Sequence, residues 1–249
     1  MLESICESSM AAREHLRAQY PSLPIVADVA TLLDRDIDAV AIATPPDTHA
    51  DLALEAIAAG KHVFVEKPLA LHEEDAATVV RAARAGGRML FVGHLMLYHP
   101  AIRHAKALIR AGAVGELRHV RARRLAFGRL RSVENAWWSL APHDVALVLD
   151  LLGDDPIAVT GALHGFLRRD VADFAYADLL FENNRSAHIE VSWLDPHKAM
   201  QVDIFGSTGV LRFVDAPGTP TLTLTPLRQR PGRRRPPGVV ARGRARLAL

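Results

Sequence analysis

Glu66-Lys67-Pro68-Leu69 follows an apolar run, Lys61-His-Val-Phe-Val65. A buried strand that ends on a carboxylate and an ammonium, and is stopped by a proline, delivers an amine to its C-terminal edge. Ligands bind along that edge in α/β sheets, so Lys67 is a candidate for moving a proton. The alternative is a solvated lysine in a loop. Thr44-Pro45-Pro46 closes an earlier apolar run and would stand on the same edge. A second candidate is Trp137-Trp-Ser-Leu-Ala-Pro-His-Asp144, where Pro142 precedes a helix and His143 and Asp144 fall in its first turn. Histidine exchanges a proton near neutral pH; the alternative is a satisfied core or surface histidine. The other histidines do not build a metal site, since His94, His99 and His104 recur every five residues and do not share a helix face.

The elements that would position these groups change character along the chain. Short apolar runs at 2–6, 38–44, 63–65 and 89–92 alternate with helical stretches at 10–20, 49–59 and 73–85. Ser8-Ser9 cap the first helix and Gly60 closes the second. Alternating strands and helices at this spacing predict a parallel sheet with crossover helices. Beyond Gly93 the spacing predicts a helix over 100–111, an arginine-bearing strand over 117–125 and a buried helix over 144–152. Strands follow at 157–163, 174–181, 186–193, 200–205, 209–213 and 221–224. Strands without intervening helices predict an antiparallel sheet. The expected division is therefore 1–93, 94–227, and a basic, disordered tail over 228–249.

Composition narrows the functions. The chain has 249 residues, 49% hydrophobic and 23% charged, as in a soluble globular protein. A single cysteine, Cys6, gives no disulfide framework and fits a reducing cytoplasm. No apolar stretch reaches the ~20 residues of a membrane span, and the first residues do not form a secretory signal. The net charge of +2 conceals an asymmetry: eight arginines and no acid follow Leu227, so residues 1–227 carry −6. That tail lacks interleaved aromatic residues, and nucleic acid is not an expected partner.

Three separated motifs carry a resemblance. Ala41-Ile-Ala-Thr-Pro-Pro-Asp-Thr-His49, then Gly60-Lys-His-Val-Phe-Val-Glu-Lys-Pro-Leu69 and Gly93, then a histidine opening a helix, resemble the Gfo/Idh/MocA family of NAD(P)-dependent oxidoreductases over roughly residues 2–215. The resemblance implies an α/β fold: a Rossmann parallel sheet, here incomplete, then an α/β domain with an open, mainly antiparallel sheet. It implies Lys67 as the catalytic lysine and His143 as the second catalytic group. It also implies Glu7, Thr44, Pro45, His49, Glu66 and Lys67 around NAD or NADP. Ser139 stands where many members carry an aspartate, which shifts proton transfer toward His143. The stretch 129–144 and Trp193-Leu-Asp-Pro-His-Lys198 resemble the branch acting on UDP-N-acetylhexosaminuronic acids. That branch implies Tyr98, His99, Arg123, Asn135, His143 and Lys198 as substrate-facing, and a homo-oligomer through the C-terminal sheet.

Two departures stand beside the resemblance. The chain is expected to open at the end of the family's second strand, with Glu7 as the ribose-binding acid, so that the glycine-rich turn falls outside it. No two glycines here lie two residues apart. After Pro226 the arginine- and proline-rich tail reads like a shifted frame. A competing expectation is a non-catalytic remnant that keeps sugar-nucleotide binding or the oligomer interface.

Overall fold

Parallel strands form the first half of the chain, and mainly antiparallel strands the second. In the computed structural model, residues 1–127, 134–215, 220–227 and 245–247 are described, the last by backbone alone. The chain divides into two units, Met1–Gly93 and His94–Leu249.

In the first unit β1 (Ile5–Cys6) pairs in parallel with β2 (Ile25–Val26), joined by α1 (Met10–Gln19). After α2 (Val29–Leu33) come β3 (Ala39–Ile42), α3 (His49–Ala58), β4 (His62–Val65), α4 (Glu73–Ala85) and β5 (Leu90–Val92). These three strands pair in parallel in the order β3-β4-β5. Ser9 and Asp28 cap α1 and α2 by accepting N–H bonds from Ala12 and Thr31, each worth about 1 kcal/mol. Three acids in the first turn of α4, Glu73, Glu74 and Asp75, complement its dipole. Ile42, Ile57, Val63, Val65 and Val79 form the core.

Among the described residues the two parallel sheets, β1-β2 and β3-β4-β5, do not pair with each other. β3 differs from its expectation. Its continuous apolar run predicts burial on both faces, yet Ala39 and Ala41 are exposed. Residue type made β3 fit for a sheet centre; among the described residues it pairs on one side only, with β4.

In the second unit a short helical turn (Leu95–Tyr98) and α5 (Pro100–Arg110) precede β6 (Leu117–Phe127) and α6 (Ala136–Leu152). Then come β7 (Ala158–His164), β8 (Phe174–Phe181), β9 (Arg185–Ser192), β10 (Leu194–Gly206), β11 (Gly209–Val214), β12 (Thr221–Pro226) and β13 (Ala245–Leu247). They form one sheet in the order β13-β12-β11-β10-β6-β9-β8-β7, antiparallel except for the β6–β9 pair. Asn183 and Asn184, at φ 58° and 56°, turn β8 into β9, the backbone of a tight hairpin that asparagine tolerates. Alternate residues such as Val120, Ala122, Ile189, Val191, Val202 and Ile204 build the core with Ile102 of α5 and Leu147 and Val148 of α6.

Two expectations are corrected here. The helix that carries His143 begins at Ala136, not after Pro142. Asn135 caps it by accepting the N–H of Trp138, which starts the helix two turns early and leaves Pro142 inside. His143 therefore lies mid-helix, not in a first turn. The tail expected to lack structure contributes β13, which pairs with β12. Ala245-Arg246-Leu247 contains neither proline nor glycine and can satisfy the outer backbone groups of β12. The rest of 228–249 lies outside the described residues.

The sheet's other face carries a charged row in register: Arg212, Asp203, Arg121, His188 and Asp178 on five neighbouring strands. Asp203 is fully buried and accepts from Arg121 Nη2 at 2.6 Å, Arg212 Nε at 2.6 Å and Gln201 Nε2 at 2.8 Å. Burial pushes its carboxyl up; the bonds from Arg212, Arg121 and Gln201 outweigh that and hold it below the ordinary range. A depressed folded-state value adds stability above the unfolded carboxyl value of about 3.9, and that stability is lost as pH falls through the folded value. Asp203→Asn is expected to lower the melting temperature at pH 7 and to flatten its fall below pH ~4. An unchanged acid limb in thermal scans would refute this role.

Candidate active site

β3, β4 and β5 end in register at Ile42, Val65 and Val92. Their carboxyl edge therefore gathers Thr44-Pro45, Glu66-Lys67 and Gly93, residues far apart in sequence. Glu66 N–H donates to Ile42 O at 2.9 Å and Gly93 N–H to Val65 O at 2.8 Å, extending the ladder past the strand ends. A Cβ on Gly93 would lie 3.1 Å from Glu66 Oε2 and 3.2 Å from Phe64 Cζ. Glycine at 93 thus lets the Glu66 carboxylate lie against the backbone. Thr44 and Pro45 are exposed, while Glu66 and Lys67 are half-buried.

His49, expected beside a cofactor, is tied into the backbone of this edge. It is 1% exposed at the start of α3. Its Nε2 lies 2.8 Å from Thr44 O and its Nδ1 2.7 Å from Pro68 O. With both nitrogens on backbone carbonyls, the ring has no polar atom left for a ligand. The neutral ring donates to one carbonyl; both contacts are hydrogen bonds only when each nitrogen carries a proton. His49 instead ties the turn after β3 to the turn that follows Lys67. The Thr44 and Thr48 hydroxyls share a bond at 2.7 Å, and Thr48 also donates to Pro45 O. No spacing in the sequence distinguishes this buried tie from a ligand contact.

Glu7 follows β1, on the two-stranded sheet. Its Oε1 accepts Ser9 N–H at 2.7 Å, which sets the carboxylate against the positive start of α1.

In the second unit, Tyr98 is 55% exposed. His99 caps α5, its Nδ1 accepting Ala101 N–H, and its ring lies 5.0 Å from Phe213. Asn135 caps α6. Ser139 stands one turn before His143, so the two share a helix face. Lys198 is exposed at a register shift in β10.

Arg123 is not brought to this group. Val120 and Ala122 face the core with α6, and alternation turns Arg124 the same way and Arg123 to the opposite face. Arg123 lies 3.5 Å from Glu190 on that face. Arg124 reaches α6 with a two-pronged pair: Nε to Asp144 Oδ2 at 2.9 Å and Nη2 to Oδ1 at 2.8 Å. Sequence reasoning missed Arg124; counting by twos from Val120 would have found it. A cleft of about 640 Å³ lies elsewhere, lined by Glu116, Arg118, Asn183 and Arg185 among others, and holds none of the expected residues.

Ionisable side chains on the carboxyl edge of a parallel sheet, followed in the chain by an open, mainly antiparallel sheet under helices, make a two-part α/β protein with a ligand-binding kind of sheet edge. Residues 1–94 match the oxidoreductase family with an NAD-binding Rossmann fold, and residues 102–212 match its C-terminal domain. The chain belongs to the Gfo/Idh/MocA family of oxidoreductases.

Among its relatives is a UDP-N-acetylglucosamine 3-dehydrogenase from Acidithiobacillus ferrooxidans, 33% identical over 68% of this chain and 53% of that protein. Its structure superimposes with a TM-score of 0.83 at 27% identity, over 99% of this chain and 75% of that one. The WlbA dehydrogenase from Bordetella pertussis, solved with NADH and UDP-GlcNAcA, gives 0.78 at 25% identity over 86% and 66%. The chain spans about half the length of the first relatives it matches, 53% and 48%. No helix among the described residues is long and apolar enough to cross a membrane.

Proposed function

We propose that this chain is an NAD(P)-dependent oxidoreductase that moves a hydride between nicotinamide and a secondary hydroxyl of a sugar or nucleotide sugar. The carboxyl edge carries the reading: Thr44-Pro45 and Glu66-Lys67 end neighbouring parallel strands in register. These residues suit the nicotinamide end of the cofactor, with one hydroxyl, one carboxylate and one ammonium on an edge that His49 braces from below. The phosphate end is different. No two glycines of the sequence lie two residues apart, and Glu7 already meets the α1 terminus.

A bound nicotinamide would take the hydride from carbon. This chain's residues take the other half of the reaction: the hydroxyl proton passes to Lys67, with His143 as second acceptor, and a ketone remains. A half-buried lysine beside a cationic ring shares a proton readily. Tyr98, His99, Asn135 and Lys198 contact the sugar nucleotide. The names of the 3-dehydrogenase and WlbA relatives favour a nucleotide sugar and favour an enzyme over a non-catalytic remnant. The chain works in the cytoplasm, and copies associate through the C-terminal sheet. Titration with NADH, followed by its fluorescence, is expected to saturate below millimolar concentration. A flat titration to millimolar would overturn the proposal.

A further inference from the structure

Arg124 touches two segments that carry expected substrate-facing groups. Its Nε and Nη2 donate to Asp144 Oδ2 and Oδ1 on α6 at 2.9 and 2.8 Å, and Asp144 directly follows His143. Its Nη1 lies 3.2 Å from Met200 Sδ on β10, a weak acceptor. Met200 is the cross-strand partner of Arg124 and stands two residues beyond Lys198, just past the register shift between Leu194 and Ala199. One guanidinium thus joins β6, α6 and β10.

α6 has a weak point beside His143. Pro142 lies inside the helix and has no N–H, so the Trp138 carbonyl receives no bond from it and the helix lacks a rung immediately before His143. The two ends of α6 are tied elsewhere. Asn135 caps the first turn, and Ala136 donates its N–H to Ala172 O. Lys106 pairs with Asp150 in the last turn, and Arg185 donates to Leu152 O. The Arg124–Asp144 pair stands at the weakened middle.

A buried ion pair is a poor choice for stability alone. The Arg124 side chain is 16% exposed and that of Asp144 2%, and apolar residues of similar volume often serve as well or better. What the pair adds is direction. A planar fork meets both carboxylate oxygens in one orientation, which fixes the rotation of α6 about its axis at residue 144.

We propose that Arg124 is a positioning residue: through Asp144 it sets the rotation of α6 at His143, and through Met200 it keeps the Lys198 segment in the same frame. This role rests on the hydride-transfer reading above and names a residue that acts through its neighbours.

The test follows oxidation of UDP-N-acetylglucosamine and of UDP-N-acetylglucosaminuronic acid by the full chain with NAD or NADP, beside urea unfolding of each variant. Arg124→Lys keeps the charge but not the fork. Its kcat is expected to fall about 100-fold, the cost of a misplacement on the order of 1 Å, with NADH affinity unchanged. Arg124→Met with Asp144→Leu removes both charges, so its unfolding midpoint should return to near that of wild type while kcat stays low. That divergence separates positioning from a structural role. A double variant that regains kcat along with stability would make the pair structural and overturn the proposal, and so would Arg124→Lys at wild-type kcat. If the double variant does not regain stability, Arg124→Lys decides alone. A wild type that binds NADH and oxidises neither nucleotide sugar would overturn the reading above and this role with it.

Discussion

Lys67→Ala is expected to lower kcat by about 10²–10⁴, the usual worth of a positioned proton-transfer group, with NADH affinity staying within about threefold. The split follows from the structure. Lys67 follows the end of β4, where Glu66 and Gly93 hold the ladder through backbone bonds. His49 secures the turn through the carbonyls of Thr44 and Pro68. These backbone and His49 contacts are expected to hold the edge in the variant. Loss of NADH binding together with activity would make Lys67 a cofactor contact. Normal turnover would remove it from the chemistry altogether. Lys67→Arg separates charge from proton transfer: guanidinium keeps the charge but does not release a proton near neutral pH, so the variant should stay inactive.

Asp144→Ala is expected to destabilise the second unit by about 3–5 kcal/mol, because it strands a buried guanidinium. Asp144 is 1% exposed, and the Arg124 side chain only 16%. Two short bonds fix the pair across β6 and α6, joining residues twenty apart in sequence. Without the carboxylate, Arg124 cannot reach water without disturbing the helix that packs over it. Urea unfolding followed by tryptophan fluorescence should show a lower midpoint at unchanged slope. Arg124→Met combined with Asp144→Leu should recover most of the loss, since replacing both partners removes the unpaired charge. A double variant as unstable as Asp144→Ala would mean that packing at 144, not the ion pair, sets the cost. Asp144 adjoins His143, so the same pair fixes the part of α6 that presents it.

Local pattern made much of the chain legible. The apolar run 61–65 with Pro68 behind it gave β4 and its edge lysine. β8 alternates Phe-Ala-Tyr-Ala-Asp-Leu-Leu-Phe and lies in a sheet with one covered face. α4 follows from Glu73 to Ala85 with acids at its start. Pro142 misled, because a proline near the start of an apolar run reads as a helix beginning; the Asn135 cap overrode it. Arg123 misled through parity, since one residue of register decides the face of a strand.

The sequence by itself determined the order of elements, the two kinds of sheet and the strand end that carries Lys67. Those depend on period, caps and breakers, which act within a few residues. Only the tertiary structure decided which face of β6 the helices cover, that His49 is a buried tie, and that Asp203 gathers two arginines. Arg121 and Asp203 are 82 residues apart. Their meeting depends on which strands become neighbours, a property of the whole sheet that neither residue type nor spacing encodes.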